Sequence, residues 1–238
     1  MNPAFVPAVI VGGTAVSYVA AMLIGVPALV PFLNVAPAFP FMMASLGRGR
    51  VAEAVWRMLV WAAALAVCAT TMSYLGTADA GRLFLRGEPY RREMFEFLLT
   101  GYGPEGDIRL FLPQHAAHAA VFCALALATG GLLAMPLGAM LMNYMAYYVG
   151  ALGAASAHPW KAMALGWVPW AVIRIAGFVT LGVVLAGPVL GRLLGFEYRL
   201  RDQRRWIALA GAALLVDVVL KWALAPSWRE MIRGAAGW

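Results

Sequence analysis

The residues in this chain whose types and spacing could do chemistry fall into a few small groups. In "PQHAAHAA", His115 and His118 stand three apart, which places them on one helix face if a helix has begun there. Paired histidines can ligate a metal, with Glu93 or Glu96 as a further ligand. The H-E-x-x-H pattern is absent and spacing fixes no third ligand, so histidines satisfied by water or backbone are the competing reading. Arg174 lies deep in an apolar stretch, thirteen residues beyond Lys161 and one turn after Trp170. An arginine at such depth is costly in lipid and usually faces a bundle interior or a wet path. The Trp170 ring face is its expected companion, and snorkelling toward an interface is the alternative. In "DVVLKW", Asp217 and Lys221 are four apart with the acid first, the favoured order for a helical ion pair. Such a pair lets both charges stay in lipid, and a proton or ion relay is the other use of the same residues.

A further constellation is carried by the carboxamides. The chain holds only three asparagines, and Asn34 follows Pro27 by seven residues as Asn143 follows Pro136, the two pairs being offset by 109. Each proline removes a backbone donor and pushes against the preceding turn. In lipid a freed carbonyl must be sheltered by protein or reached by water. Matching interruptions in two halves are a pointer to a transporter-like site near the bilayer midplane, so Pro27, Asn34, Pro136 and Asn143, with Arg174 setting the charge, form a candidate substrate path. Ordinary kinks and interhelical hydrogen bonds would use the same residues.

Elements long enough to position these groups are easily found. The 238 residues are 63% hydrophobic and 12% charged, with a mean hydropathy of +0.78, against about 25% charged in soluble domains. Stretches 1–47, 58–78, 110–160, 162–191 and 207–228 are uncharged or nearly so. A spanning helix takes about 20 apolar residues, so the first and third hold two spans each. The expected fold is an all-α, polytopic transmembrane helix bundle of six or seven spans in a single membrane domain, 1–238. It divides into two inverted three-span repeats, 1–78 and 110–191, plus a final helix at 207–228. Between the halves, 79–109 is an extramembrane loop in which "EPYRREMFEFLL" makes an amphipathic helix, lying on the membrane surface or packed on the bundle.

The net charge of +7 is unevenly distributed. Arg48, Arg50 and Arg57 in one segment and Arg192, Arg199, Arg201, Arg204 and Arg205 in the loop 192–206 read as cytoplasmic, which puts the balanced loop 79–109 and the C-terminus outside. No lysine or arginine precedes Arg48, so the start of the chain lacks the basic region of a cleavable signal peptide. Cys68 and Cys123 have no C-x-x-C partner and read as packing residues. No phosphate-binding glycine loop, no G-x-S-x-G elbow and no nucleophile-base set is present, so neither a cofactor nor nucleic acid is expected, and an enzyme is the least favoured class. A permease moving a small solute or ion comes first. Next comes a structural or assembly subunit that meets membrane-protein partners, or a second copy of itself, through small-residue faces such as "GALGAAS". A metal-dependent membrane enzyme using His115 and His118 comes last. The lipid bilayer of a bacterial inner membrane is the expected surrounding.

From Asn143 onward the layout resembles the stage II sporulation protein M family of polytopic membrane proteins. The residues that carry the likeness are Asn143 with Gly150 and Gly153 after it, "PWAVIRI" at 169–175, and "KWALAP" at 221–226. It departs from the family pattern at Tyr144, Trp170, Ala171, Arg174 and Lys221. The resemblance implies a bacterial inner-membrane component of a multiprotein complex rather than a self-sufficient enzyme.

Overall fold

The structure is a computed structural model and describes residues 3–238. Among these residues every regular element is helical. In chain order the α-helices are α1 (Val6–Ile24), α2 (Val30–Val35), α3 (Phe39–Gly47), α4 (Val51–Leu75), α5 (Thr77–Leu83), α6 (Gly87–Thr100), α7 (Ile108–Thr129), α8 (Ala134–Ala154), α9 (Pro159–Gly166), α10 (Pro169–Leu194) and α11 (Arg204–Ala236). Six helical stretches are long and apolar enough to cross a membrane: α1, the run Pro27–Gly47, α4, α7, α10 and Leu200–Ala236. The fold is therefore the all-α bundle expected of a multi-pass membrane protein.

A seventh helix, α8, has 21 residues, about 31 Å at 1.5 Å per residue and so as long as the hydrocarbon core is thick. It falls short of the other six in apolarity because Asn143, Tyr144, Tyr147 and Tyr148 interrupt it. It can carry those groups because it is the central helix: α2, α4, α5, α6, α7, α9 and α10 all pack around it, and residues 145–153 are buried without a break.

The α4–α8 crossing is close. A Cβ at Gly150 would sit 2.5 Å from the Ser73 Cβ, 2.6 Å from the Thr70 carbonyl oxygen and 2.7 Å from the Tyr74 nitrogen. Small residues are what let two helix backbones approach this closely in a membrane. Gly153 is similarly closed off by Met163 of α9 and by Tyr74. The "GALGAAS" face, expected to meet other proteins, is thus used inside the chain.

The first apolar run is broken, as its prolines require. A short 3-10 turn at Pro27–Leu29 leads into α2, and a turn at 36–38 separates α2 from α3. Pro37 has no N–H and the Ala38 N–H goes to the Val35 carbonyl, which leaves the Asn34 carbonyl without a helical donor. The indole N–H of Trp61 on α4 supplies one at 2.7 Å. The counterpart expected in the second half is not broken. Pro136 lies in the first turn of α8, where backbone N–H groups have no helical partner in any case, and α8 continues straight past Asn143. The matching interruption of two repeats is therefore present in the first half only.

The two basic segments share one end of the bundle. A Cβ at Gly47, where α3 ends, would lie 3.6 Å from the Phe196 ring just beyond α10, and the Tyr198 hydroxyl donates to the Val184 carbonyl of α10. At the opposite end, the Ala157 and His158 N–H groups donate to the carbonyls of Ala236 and Ala235 at the tip of α11. There too Arg229 of α11 donates to the carbonyls of Phe97, Leu98 and Leu99 in the last turn of α6, where helix carbonyls run out of backbone donors, although that of Phe97 also accepts the Gly101 N–H. The amphipathic α6 does not present its apolar face to lipid. Met94, Phe97 and Leu98 pack with Met145, Tyr148, Val149 and Leu152 of α8. Its first turn is fastened by Glu88, which accepts two hydrogen bonds from Arg91 and one, at 2.7 Å, from the Tyr147 hydroxyl. These donors, Arg91 foremost, hold the Glu88 carboxyl down at about 2.

Candidate functional site

Two of the polar centres buried between the helices matter here, and they differ in whether their hydrogen bonds are filled. The first joins the two halves of the chain. Asn143 Nδ2 donates to Asn34 Oδ1 at 2.8 Å, the Tyr18 hydroxyl donates to Asn143 Oδ1 at 2.6 Å, and Asn34 Nδ2 donates to Ser17 Oγ at 2.9 Å. Ser17 in turn donates to the Thr14 carbonyl at 2.7 Å. Asn34 is fully buried and Asn143 nearly so. The residues marked by their 109-residue offset do meet, by direct hydrogen bonding between their amides. They are not among the residues lining the cavity described below, and neither are Pro27 and Pro136. A network whose members satisfy one another rigidifies a core; this one pins α1 and α2 to α8.

The second centre lies at the end opposite the basic segments and is not filled. His115, two turns into α7, Arg174, five residues into α10, and Asp217 and Lys221 on α11 converge there with Glu105 from the loop before α7. Lys221 Nζ donates to Glu105 Oε1 at 2.8 Å, with side chains only 4% and 11% exposed. Asp217 is completely buried, and neither of its carboxylate oxygens has a hydrogen-bond partner among the described residues. Its neighbours stand just outside bonding range: His115 Nε2 at 3.7 Å and Arg174 Nε at 3.9 Å. Among the described residues Arg174 makes no hydrogen bond; beyond the long approach to Asp217, its guanidinium lies over the Phe111 ring, 5.7 Å from the centroid. That same ring carries the Lys221 ammonium at 3.4 Å and stacks on His115 at 5.0 Å, so Phe111 serves as a shared aromatic floor for the cluster.

A cavity of about 120 Å³ opens beside these groups. Its charged and polar wall includes Arg174, His115, His118, Glu93, Glu105 and Tyr144, and its apolar wall includes Phe111, Phe178, Met142 and Ile175. Trp61 stands between the two centres, with its ring in the cavity wall and its N–H on the Asn34 carbonyl. The loop carboxyls are pushed in opposite directions. Burial and the nearby Glu105 charge push Glu93 up. Burial alone would raise Glu105 too, but the Lys221 ammonium and the Arg174 guanidinium outweigh it and hold that carboxyl below its ordinary value.

Several expectations are corrected by this geometry. The Asp217–Lys221 pair along one helix is not made: Lys221 pairs with Glu105 across the bundle, and Asp217 faces Arg174 and His115 instead. Arg174 lies over Phe111, while Trp170 packs edge-on against Trp228, 5.9 Å away. His115 and His118 share the cavity wall, but among the described residues no three His, Cys, Asp or Glu side chains gather as a metal site. Glu105 and Tyr144 belong to the cluster and carry no sequence signal as members of it, whereas Glu93, named in sequence as a companion of the two histidines, does share their cavity wall. "TGYGPEGD" reads as turn chemistry, and nothing in its spacing shows that the turn folds back over the bundle.

Compared with known proteins, the chain matches no family model, no curated protein and no solved structure.

Proposed function

We propose that this chain is a permease-like membrane protein that takes a small solute into the Arg174 cavity. One observation carries the reading: among the described residues, a guanidinium with no hydrogen bond and a fully buried carboxylate with no donor face each other across 3.9 Å beside a cavity. Buried polar groups are ordinarily satisfied, and membrane-embedded charges left unsatisfied mark substrate or ion pathways. In the asparagine pair every side-chain nitrogen and oxygen already has a partner within the protein, which favours the structural role. A face for assembly partners has less support, because Gly150 and Gly153 already lie against this chain's own helices. The excess of arginine at the 48–57 and 192–205 end makes that end cytoplasmic, so the cavity belongs to the outer half of a bacterial inner membrane. The test is uptake into proteoliposomes of a panel of small organic acids, amines and inorganic ions. Parent protein transports one class and Arg174→Gln loses it while eluting as a folded species; absence of flux for every class refutes the reading.

A further inference from the structure

Resting on the permease reading, we infer that the cavity solute is a small monocarboxylate and that each anion bound brings one proton onto Asp217. The unpaired Arg174 fork has the planar, two-point geometry that matches a carboxylate. Among the described residues it is the cavity's free guanidinium or ammonium, because Lys221 is already held by Glu105 at 2.8 Å. With Arg174 as that one cation and the Glu93 carboxyl on the same wall, a dianion such as sulfate or hydrogen phosphate would keep one charge without a partner. Phe111, Phe178, Met142 and Ile175 suit a short aliphatic tail. Size sets the upper limit: a cavity of ~150 Å³ holds a benzene molecule, so about 120 Å³ admits a solute of a few heavy atoms.

The proton follows from charge balance. In the empty site Asp217 is the nearest anion to Arg174. An incoming carboxylate takes that place, leaving Asp217 fully buried beside a second anion with no donor on either oxygen. An unpaired buried carboxylate neutralises instead of staying charged. The proton comes from the aqueous phase at the cavity mouth and ends on a carboxylate oxygen of Asp217. The His115 imidazole, with Nε2 3.7 Å from Asp217 Oδ2, stands where it can pass that proton on. Charged groups facing Asp217 from the surrounding elements are Arg174 of α10, His115 of α7, Lys221 on its own helix, and Glu105 from the loop, with Glu93 of α6 on the same wall. The one charged residue of α9, Lys161, points to the exterior. Of these, Asp217 is the acid left with neither a hydrogen bond nor solvent.

The experiment is equilibrium binding of propionate to the purified full chain in detergent, followed by calorimetry from pH 5.5 to 8.5 in pairs of buffers with different ionisation enthalpies. One proton taken up per propionate gives an apparent Kd that rises about tenfold per pH unit where free Asp217 is ionised. Propionamide, the neutral analogue, binds at least ~30-fold more weakly, as loss of a charge-assisted contact requires. Asp217→Asn, which keeps shape and volume, binds propionate with no proton uptake and a flat pH profile. Propionate binding without proton uptake by the parent protein overturns the inference, and so does transport of another solute class with no propionate binding; in both cases the permease reading survives. Proton-linked propionate binding without flux in proteoliposomes supports the inference and removes the permease reading. The buffer-pair measurement uses only the parent protein, so the conclusion does not depend on a variant that must fold.

Discussion

Replacing Asn143 by alanine separates a structural role for the asparagine pair from a role in solute passage. The substitution strands two groups at once: the Tyr18 hydroxyl loses its acceptor and Asn34 Oδ1 loses its donor. In soluble proteins each stranded group costs about 1–3 kcal/mol, whereas interhelical hydrogen bonds in membranes average about 0.6 kcal/mol and reach about 1.7, because unfolded helices in lipid find other partners. With two bonds lost the membrane values apply, and Asn143→Ala is expected to destabilise by about 1–3 kcal/mol. Asn34→Ala costs less, since Ser17 keeps its bond to the Thr14 carbonyl and Trp61 bonds the Asn34 backbone, which the substitution retains. The double variant is less destabilised than the sum of the singles, with a coupling of about 0.5–1.7 kcal/mol. Equilibrium unfolding in mixed micelles, combined as a double-mutant cycle, reads these values, while propionate binding on the same samples reads function. Strict additivity, or a stability within about 0.3 kcal/mol of the parent for Asn143→Ala, refutes the network described above. Loss of solute binding at unchanged stability would return both asparagines to the solute path.

The α4–α8 crossing gives a second test: at Gly150 the obstructing Thr70 and Tyr74 atoms are backbone, so Gly150→Ala costs about 3 kcal/mol or more, the upper end of overpacking penalties. Gly211→Ala meets nothing within 4 Å and gains up to about 1 kcal/mol from helix propensity; a shift of the same sign for both in thermal melts would refute the crossing. The Glu105–Lys221 pair gives a third. Glu105→Ala leaves a buried ammonium and costs about 3–5 kcal/mol, whereas Glu105→Leu with Lys221→Met is roughly neutral. Because the folded state holds the Glu105 carboxyl below its ordinary 4.5, its contribution is complete above that value and is lost as pH falls through the lower folded one. The acid limb of a melting-temperature profile should flatten in Glu105→Gln; an unchanged limb counts against the pair.

The asparagine contact was legible in sequence because rare polar residues at a fixed offset are a signal that local structure cannot scramble. The bundle was legible because uncharged runs of spanning length have few other uses. Pairing was not legible. The four-residue spacing of Asp217 and Lys221 describes what an isolated helix would do, and in the bundle partners from α7, α10 and the 101–107 loop were nearer. Pro136 misled for a related reason: a proline breaks a helix interior but fits a first turn, and the turn at 130–133 that makes it first has two glycines at positive φ as its main sign. His115, Arg174, Asp217 and Lys221 were each visible as costly residues in an apolar chain. Their gathering into one cluster depends on how distant helices are arranged, which no local pattern encodes.

The modest apolarity of α8 bears on how the protein is made. A segment that carries an asparagine and three tyrosines is less favourable in lipid than its neighbours, so its polar groups gain from helices already in place. By the time α8 leaves the ribosome, α1, α2 and α4 have already been translated and can offer Tyr18, Asn34 and the Ser73 groove. The partners that shelter the polar groups of α8 thus all precede it in the chain, so a helix too polar to favour lipid by itself meets them in the order of translation.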